Sequence, residues 1–228
     1  LALGLDRQPE LEAILAAGCA EEALVRARAL GEGKDTAAAL RRERWALATT
    51  LAIGDLAGAL PLERVMHELS DFADRALGVA IAEAIRRRSG SEPAGFTALA
   101  LGKHGARELN YSSDIDPILL YDPVRLPKRE RDDPAEAAQR YARTILSLLS
   151  DQTEDGYVFR VDLRLRPASE VSPLAISFDA ALTHYESSAI AWERAAFIRA
   201  RSAAGDVAAG EAFLAAIAPF VWRRSLDF

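Results

Sequence analysis

The chain has a single cysteine, Cys19, in 228 residues. No internal disulfide and no thiolate metal cluster can form, and nothing asks for an oxidising compartment, so the cytoplasm is the expected location. Positive charge is also short: 28 Lys and Arg stand against 34 Asp and Glu, a formal net charge of −6. That balance argues against a general nucleic-acid surface, because neutralising phosphates takes clustered basic residues. No stretch approaches the roughly 18 to 20 uninterrupted apolar residues of a membrane span. The opening Leu1-Ala2-Leu3-Gly4-Leu5-Asp6 lacks the basic n-region of a signal peptide. Neither nucleic acid nor membrane is therefore expected as a partner. An initiator methionine is missing too, which leads us to expect a segment of a longer protein. No internal repeat is visible. Apolar residues are plentiful, at 50%, enough for one compact body or two small ones.

The apolar spacing divides the chain into three regions. Residues 1–92 are rich in Ala, Leu, Glu and Arg and read as helical throughout. The strongest helix is expected from Pro61, with Leu62, Val65, Met66, Leu69, Phe72, Ala73 and Ala76 on one face. Arg86 to Arg88 close it and Gly90 stops it. Beyond Ser89-Gly90-Ser91-Glu92-Pro93 the pattern changes. Phe96 to Leu101 reads as a short buried strand, Ile115 to Tyr121 as a second and Tyr157 to Leu165 as a third, with a helix from about Pro134 to Leu149. From Phe178 the spacing is helical again, with Leu182, Tyr185 and Glu186 on one helix and Phe213, Leu214, Ile217, Phe220 and Val221 on the last. The expected fold class is α+β: a small mixed β-sheet over 93–175, flanked by helical regions 1–92 and 176–228.

Two stretches concentrate the polar chemistry. Gly102-Lys103-His104-Gly105 to Ser112-Ser113-Asp114-Ile115-Asp116 leaves one strand and opens the next. Its glycines allow close backbone approach, and its free amides with the Ser112 and Ser113 hydroxyls suit phosphate oxygens. On a strand, Asp114 and Asp116 share a face while Ile115 points into the core. Two such carboxylates repel unless a divalent cation lies between them. In the second stretch Tyr157, Phe159, Val161, Leu163 and Leu165 alternate with Val158, Arg160, Asp162, Arg164 and Arg166. If this strand lies beside the first, Asp162 adds a third carboxylate, and its arginines can neutralise phosphates or pair with the acids. Three acids with adjacent arginines are what two-metal nucleotidyl transfer requires. Taken singly, the Asp-x-Asp also fits a loop cap, and the Arg/Asp alternation a salt-bridged exposed face.

These residues resemble the glutamine synthetase adenylyltransferase family, whose chains carry two nucleotidyltransferase halves of the DNA polymerase beta type. Leu101 through Asp122 looks like its first signature, Asp155-Gly156-Tyr157 through Pro167 its second, and Trp192-Glu193-Arg194 with Arg199-Ala200-Arg201 its third. The helical lead-in and the ending from Pro219-Phe220 through Arg223-Arg224 to Asp227-Phe228 also match. Asn110 to Asp116, Phe159 to Arg166 and the closing Arg-Arg-x-x-Asp-Phe look like the N-terminal, deadenylylating half. The resemblance implies phosphorolysis: inorganic phosphate attacks the AMP-tyrosine bond of glutamine synthetase, releasing ADP, under control through a PII signal protein. It further implies that Asp114 and Asp116 hold two Mg²⁺ ions, Mn²⁺ being equally suited to oxygen ligands, and that Asp162 holds one. Gly102, Ser112 and Ser113 would cradle phosphate, Arg164 or Arg166 would offset charge on the transferred group, and Lys103 and Arg107 would serve likewise.

Other residues read as structural. His104 stands where the family usually has an apolar side chain; His67 and His184 lie on helical segments; Trp192 and Trp222 are expected to be packing anchors. Glu193 beside Arg194 could support the site or form a helix charge pair. Ala106 replaces a usual glycine, Pro117 removes a ladder donor, and Ser169 to Pro173 lacks expected glycines. Two rival functions remain open: addition of AMP from ATP, or a noncatalytic module that binds glutamine synthetase or the signal protein.

Overall fold

The computed structural model describes residues 5–222 apart from Arg7 and Lys34; the opening Leu1 to Gly4 and the closing Arg223 to Phe228 lie outside the described residues. Among the described residues the N-terminal region carries helices α1 (Pro9–Ala16), α2 (Ala20–Ala29), α3 (Thr36–Leu56) and α4 (Leu62–Ser89). The Asp35 side chain caps α3 by accepting from the amides of Ala37 and Ala38, satisfying donors that a helix start leaves unpaired. Pro61 caps α4 rather than opening its first turn, and Gly90, at φ +70°, ends it in the left-handed conformation that glycine adopts without strain. Val65, Leu69, Phe72, Ala73 and Ala76 are buried as the spacing predicts, whereas Leu62, in the first turn, stays exposed. The three closing arginines are paired: Arg86 and Arg87 with Glu83, and Arg88 with Asp132.

A four-stranded mixed sheet follows, in the order β3 (Ala175–Ser177), β2 (Pro117–Tyr121), β1 (Phe96–Ala100), β4 (Arg201–Gly205). β1 runs antiparallel to both β2 and β4, and β2 runs parallel to β3. Every residue of β1 and β2 is buried, because both faces of the sheet are covered. Phe96, Ala98, Leu119 and Tyr121 pack with α4 and with α6 (Pro134–Ser150). Leu99, Ile118, Leu120 and Ile176 pack on the opposite side with α7 (Phe178–Ser187), α8 (Ala191–Phe197) and α9 (Val207–Val221). The period of two that separates these sets is the pleat itself. The structure is thus an α+β fold with its small sheet between two helical layers. Among the described residues, no helix is long and apolar enough to cross a membrane.

Two expectations about strands are corrected. Tyr157 to Leu165 is not a strand: only Val161 bridges, to Ile115. The amides of Val158 and Phe159 both donate to the carbonyl of Leu149 at the end of α6, at 2.9 and 3.0 Å. These consecutive residues are therefore both buried while Tyr157 is exposed, and the alternation seen in the sequence does not become a ladder. The sheet is completed instead by β3, which ends just before Phe178, and by β4, which interrupts the all-helical pattern expected after Phe178. Pro117 sits at the first position of β2, opposite Ala100, where a missing donor is tolerated.

β4 lies close under α9. A β-carbon on Gly210 would collide with the Ser202 side chain and come within 3.0 Å of Thr97 Oγ1. Gly210→Ala is expected to destabilise the fold by roughly 1 to 3 kcal/mol through overpacking, read as a lower denaturant midpoint at unchanged slope; an unchanged midpoint would contradict this packing.

Candidate active site

The site begins where β1 ends. A four-residue helical turn, α5 (Gly102–Gly105), follows directly, and Gly102 adopts φ +56° there, with the position of its absent β-carbon 3.1 Å from Asp116 Oδ2. The chain then forms a polar loop that Asn110 organises. Its Oδ1 accepts from the Ser112 amide at 3.0 Å and the Ser113 hydroxyl at 2.9 Å, while Ser113 Oγ accepts from the Asn110 amide at 3.0 Å. Beyond it, Ile115 is fully buried and its backbone is held on both sides: its amide donates to the Arg160 carbonyl at 3.0 Å, and its carbonyl accepts from the Asp162 amide at 2.9 Å. This single bridge sets Asp114 and Asp116 beside Asp162 without a formed third strand.

The result is an open cleft of about 560 Å³ lined by Gly102, Lys103, Asn110, Ser112, Ser113, Asp114, Asp116, Arg160, Asp162 and Arg164. The sequence-derived acids, Gly102, Lys103, both serines and Arg164 all converge there. Arg107 and Arg166 do not. Arg107, at φ +59°, pairs with Asp71 and approaches Asp74 outside the cleft. Arg166 donates to the carbonyls of Leu163, Ser169, Ser172 and Pro173, so its guanidinium closes the loop after the site rather than meeting a ligand. That loop lacks glycine, and Ala168 takes its left-handed position at φ +46°. Sequence reasoning did not single out Asn110, and took Arg160 only as one of the arginines able to pair with the acids, as it does with Asp114. Asn110 stood in the quoted motif beside the serines, and Arg160 shared the charged side of the second stretch with Asp162, which was the available signal.

Electrostatics in the cleft are tense. Arg160 Nε donates to Asp114 Oδ1 at 2.5 Å and its Nη2 to the Ser112 carbonyl at 2.6 Å. Arg164 Nε donates to Asp162 at 2.7 and 3.0 Å, and this bond above all holds the Asp162 carboxyl below its ordinary pKa. Asp116 has no such partner: burial first, then the charges of Asp162 and Asp114, push its pKa up, with Arg164 opposing. Among the described residues no group of three His, Cys, Asp or Glu side chains stands in a metal-holding geometry, and two of the three acids are paired with arginines. The donor set nevertheless fits a hard divalent cation: carboxylate oxygens only, one of them crowded by like charge that a cation would relieve.

The remaining histidines and tryptophans lie elsewhere. His104 is fully buried beneath the turn and bonds Asp74 at 2.8 Å. His67 is exposed. His184 bonds Glu193 at 2.8 Å, and Glu193 also accepts from the Ile190 amide, so Glu193 supports a helix start. Trp192 and Trp222 are 48% and 66% exposed, so they do not act as the packing anchors their size suggested.

Asp116 yields a signed prediction. A carboxyl whose folded pKa is raised contributes stability that is fully present below its unfolded value, near 3.9, and is lost as pH rises through the folded value. At neutral pH in chelator Asp116→Asn is therefore expected to be more stable than the parent by up to about 1 kcal/mol, read by thermal unfolding. Lower stability of the variant would show that the carboxylate is already well compensated.

Comparison with known proteins follows the same lines. Residues 6–216 match the family described as glutamate-ammonia ligase adenylyltransferase. The chain is 44% identical, over 99% of its length, to the bifunctional glutamine synthetase adenylyltransferase/adenylyl-removing enzyme of Caulobacter vibrioides. It is 43% identical, over 94% of its length, to the protein of the same description from Xanthobacter autotrophicus. It spans 24% and 22% of those two relatives, about a quarter of each. With the family match running from residue 6 to residue 216 and identity of 44% over nearly its whole length, the chain belongs to the glutamate-ammonia ligase adenylyltransferase family.

Proposed function

We propose that this chain carries a metal-dependent nucleotidyl-transfer site that removes AMP from the adenylylated tyrosine of glutamine synthetase, using inorganic phosphate and releasing ADP. The observation that carries the proposal is the convergence of Asp114, Asp116 and Asp162 on one cleft with Gly102, Lys103, Ser112 and Ser113. The printed names of the relatives join adenylyl addition and adenylyl removal. The choice of removal rests on the resemblance of Asn110 to Asp116 and of Phe159 to Arg166 to the deadenylylating half.

In this reading Asp114, Asp116 and Asp162 would hold Mg²⁺, or Mn²⁺ in its place. When bound, the cations supply positive charge to the attacking and leaving oxygens of an in-line displacement. Lys103 forms no ion pair among the described residues, unlike Arg160 and Arg164, and its ammonium holds the incoming phosphate. Gly102 gives that phosphate close access to the backbone, and the Ser112 and Ser113 side chains orient the phosphoryl group at the mouth of the cleft. Arg164, exposed at the rim, offsets charge that accumulates on the transferred group. An oxygen of inorganic phosphate bonds to the AMP phosphorus, the bond to the tyrosine oxygen breaks, and that oxygen leaves with a proton as free tyrosine. Control by a PII signal protein belongs to the same proposal.

The test is ADP release from adenylylated glutamine synthetase with Mg²⁺ and inorganic phosphate, with Asp114→Ala alongside. Phosphate-dependent ADP, lost by at least a hundredfold in the variant, is the expected result. Consumption of ATP with labelling of glutamine synthetase would reverse the direction. A folded, metal-binding chain without nucleotide chemistry would favour a noncatalytic binding module.

A further inference from the structure

The turn Gly102–Gly105 faces two ways. Lys103 lines the cleft, whereas the next residue, His104, is fully buried on the opposite side. There it meets Asp74 of α4, a residue remote from the site in sequence. Asp74 accepts from His104 Nε2 at 2.8 Å and from Arg201 Nη1 and Nη2 at 2.7 and 2.9 Å. Arg201 Nη2 also donates to the His104 carbonyl at 3.1 Å. One carboxylate thereby ties together α4, the turn and β4.

The turn has little freedom to move between that clamp and the acids. At one end, a β-carbon on Gly105 would collide with the Arg199 carbonyl and lie 2.7 Å from that of Ala100. At the other, Gly102 stands against Asp116. Burial pushes the Asp74 carboxyl up, but the bonds from His104 and Arg201 outweigh it and leave the group below its ordinary range. Buried His104 Nδ1 and Arg201 Nε have no hydrogen-bond partner among the described residues. A cluster kept for stability alone would do better with those atoms paired or replaced by apolar groups. The Arg199-Ala200-Arg201 motif, which the transfer chemistry does not use, finds its place here: Arg201 in the clamp and Arg199 paired with Glu108 at 2.7 Å.

We propose that Asp74 is a positioning residue for the active site: through His104 and Arg201 it fixes the Gly102–Lys103 backbone against Asp116, touching no substrate itself. The ligand side of this inference rests on the nucleotidyl-transfer reading; the mechanical side does not.

The experiment compares Asp74→Asn with Glu43→Gln, which weakens the Arg75–Glu43 ion pair between α3 and α4, away from the cleft. For each, the Tm, ADP affinity in Mn²⁺ by calorimetry, and hydrogen exchange of the Gly105 and Ala106 amides are measured; those amides bond Leu101 and Gly102 across the turn. Asp74→Asn is expected to weaken ADP binding at least tenfold and to speed exchange at both amides at least tenfold, while Glu43→Gln lowers Tm and changes neither. Equal effects in the two variants, scaling with Tm, would overturn the proposal, as would unchanged exchange in Asp74→Asn. If the parent chain binds no ADP, the nucleotidyl-transfer reading fails at that point, and the exchange measurement alone decides the positioning role. Should Asp74→Asn not fold, Arg201→Lys, which keeps the charge but loses the two-pronged contact, is judged by the same readouts.

Discussion

Two backbone hydrogen bonds at Ile115 decide where the three acids of the cleft stand. One joins its amide to the Arg160 carbonyl and the other joins its carbonyl to the Asp162 amide. With the Ile115 side chain sealed in the core, its neighbours Asp114 and Asp116 must face the cleft, and Asp162 must lie alongside. The segment that brings Asp162 is not held as a strand. It is held at its start by the Leu149 carbonyl and near its end by the Arg166 guanidinium, which gathers four carbonyls. A packed interior thus fixes an acid cluster that would not assemble by its own electrostatics.

That cluster works against stability. Like charges gathered in a half-buried cleft oppose folding, and the arginines relieve two of the three acids: Arg160 takes Asp114 and Arg164 takes Asp162. Asp116, nearest the sheet, is left with the raised pKa. A divalent cation and a nucleotide phosphate would together supply what the arginines supply here, the cation to the acids and the phosphate to the guanidiniums, so on the proposed reading ligand binding would be coupled to rearrangement of these ion pairs. The surrounding scaffold is correspondingly firm, with the sheet covered on both faces and the Gly102–Gly105 turn wedged between Asp116 and the Asp74 clamp.

Much of this was legible in the sequence because the strongest signals are local. Long apolar spacing marked α4 and α6, Gly90 marked a helix end, and the glycine-bounded run from Phe96 marked β1. The meeting of the three acids in one cleft was legible from the spacing of Asp114 and Asp116 around Ile115 and from Asp162 in the later charged stretch. What was hidden depends on tertiary contact. The perfect alternation of Tyr157 to Leu165 suggested a strand, yet bonding to the end of α6 breaks the ladder at Val158 and Phe159. β4, written Arg-Ser-Ala-Ala-Gly, has little intrinsic strand preference and exists because β1 and α9 hold it. Arg166 and Arg164 look alike in the sequence, but only the structure separates the one that builds a loop from the one at the cleft rim. The bond from His104 to Asp74 crosses 30 residues of chain, beyond the reach of any local pattern.

The central claim is that Asp114, Asp116 and Asp162 form one cation site. Its most direct test is diffraction from crystals of this chain soaked with Mn²⁺ and ADP, with the anomalous map calculated at the manganese edge. The account predicts anomalous density bounded by the three carboxylates, with Arg160 and Arg164 moved off Asp114 and Asp162 and toward the phosphates. Crystals that bind ADP yet show no such density, with both arginines still on their acids, would contradict it.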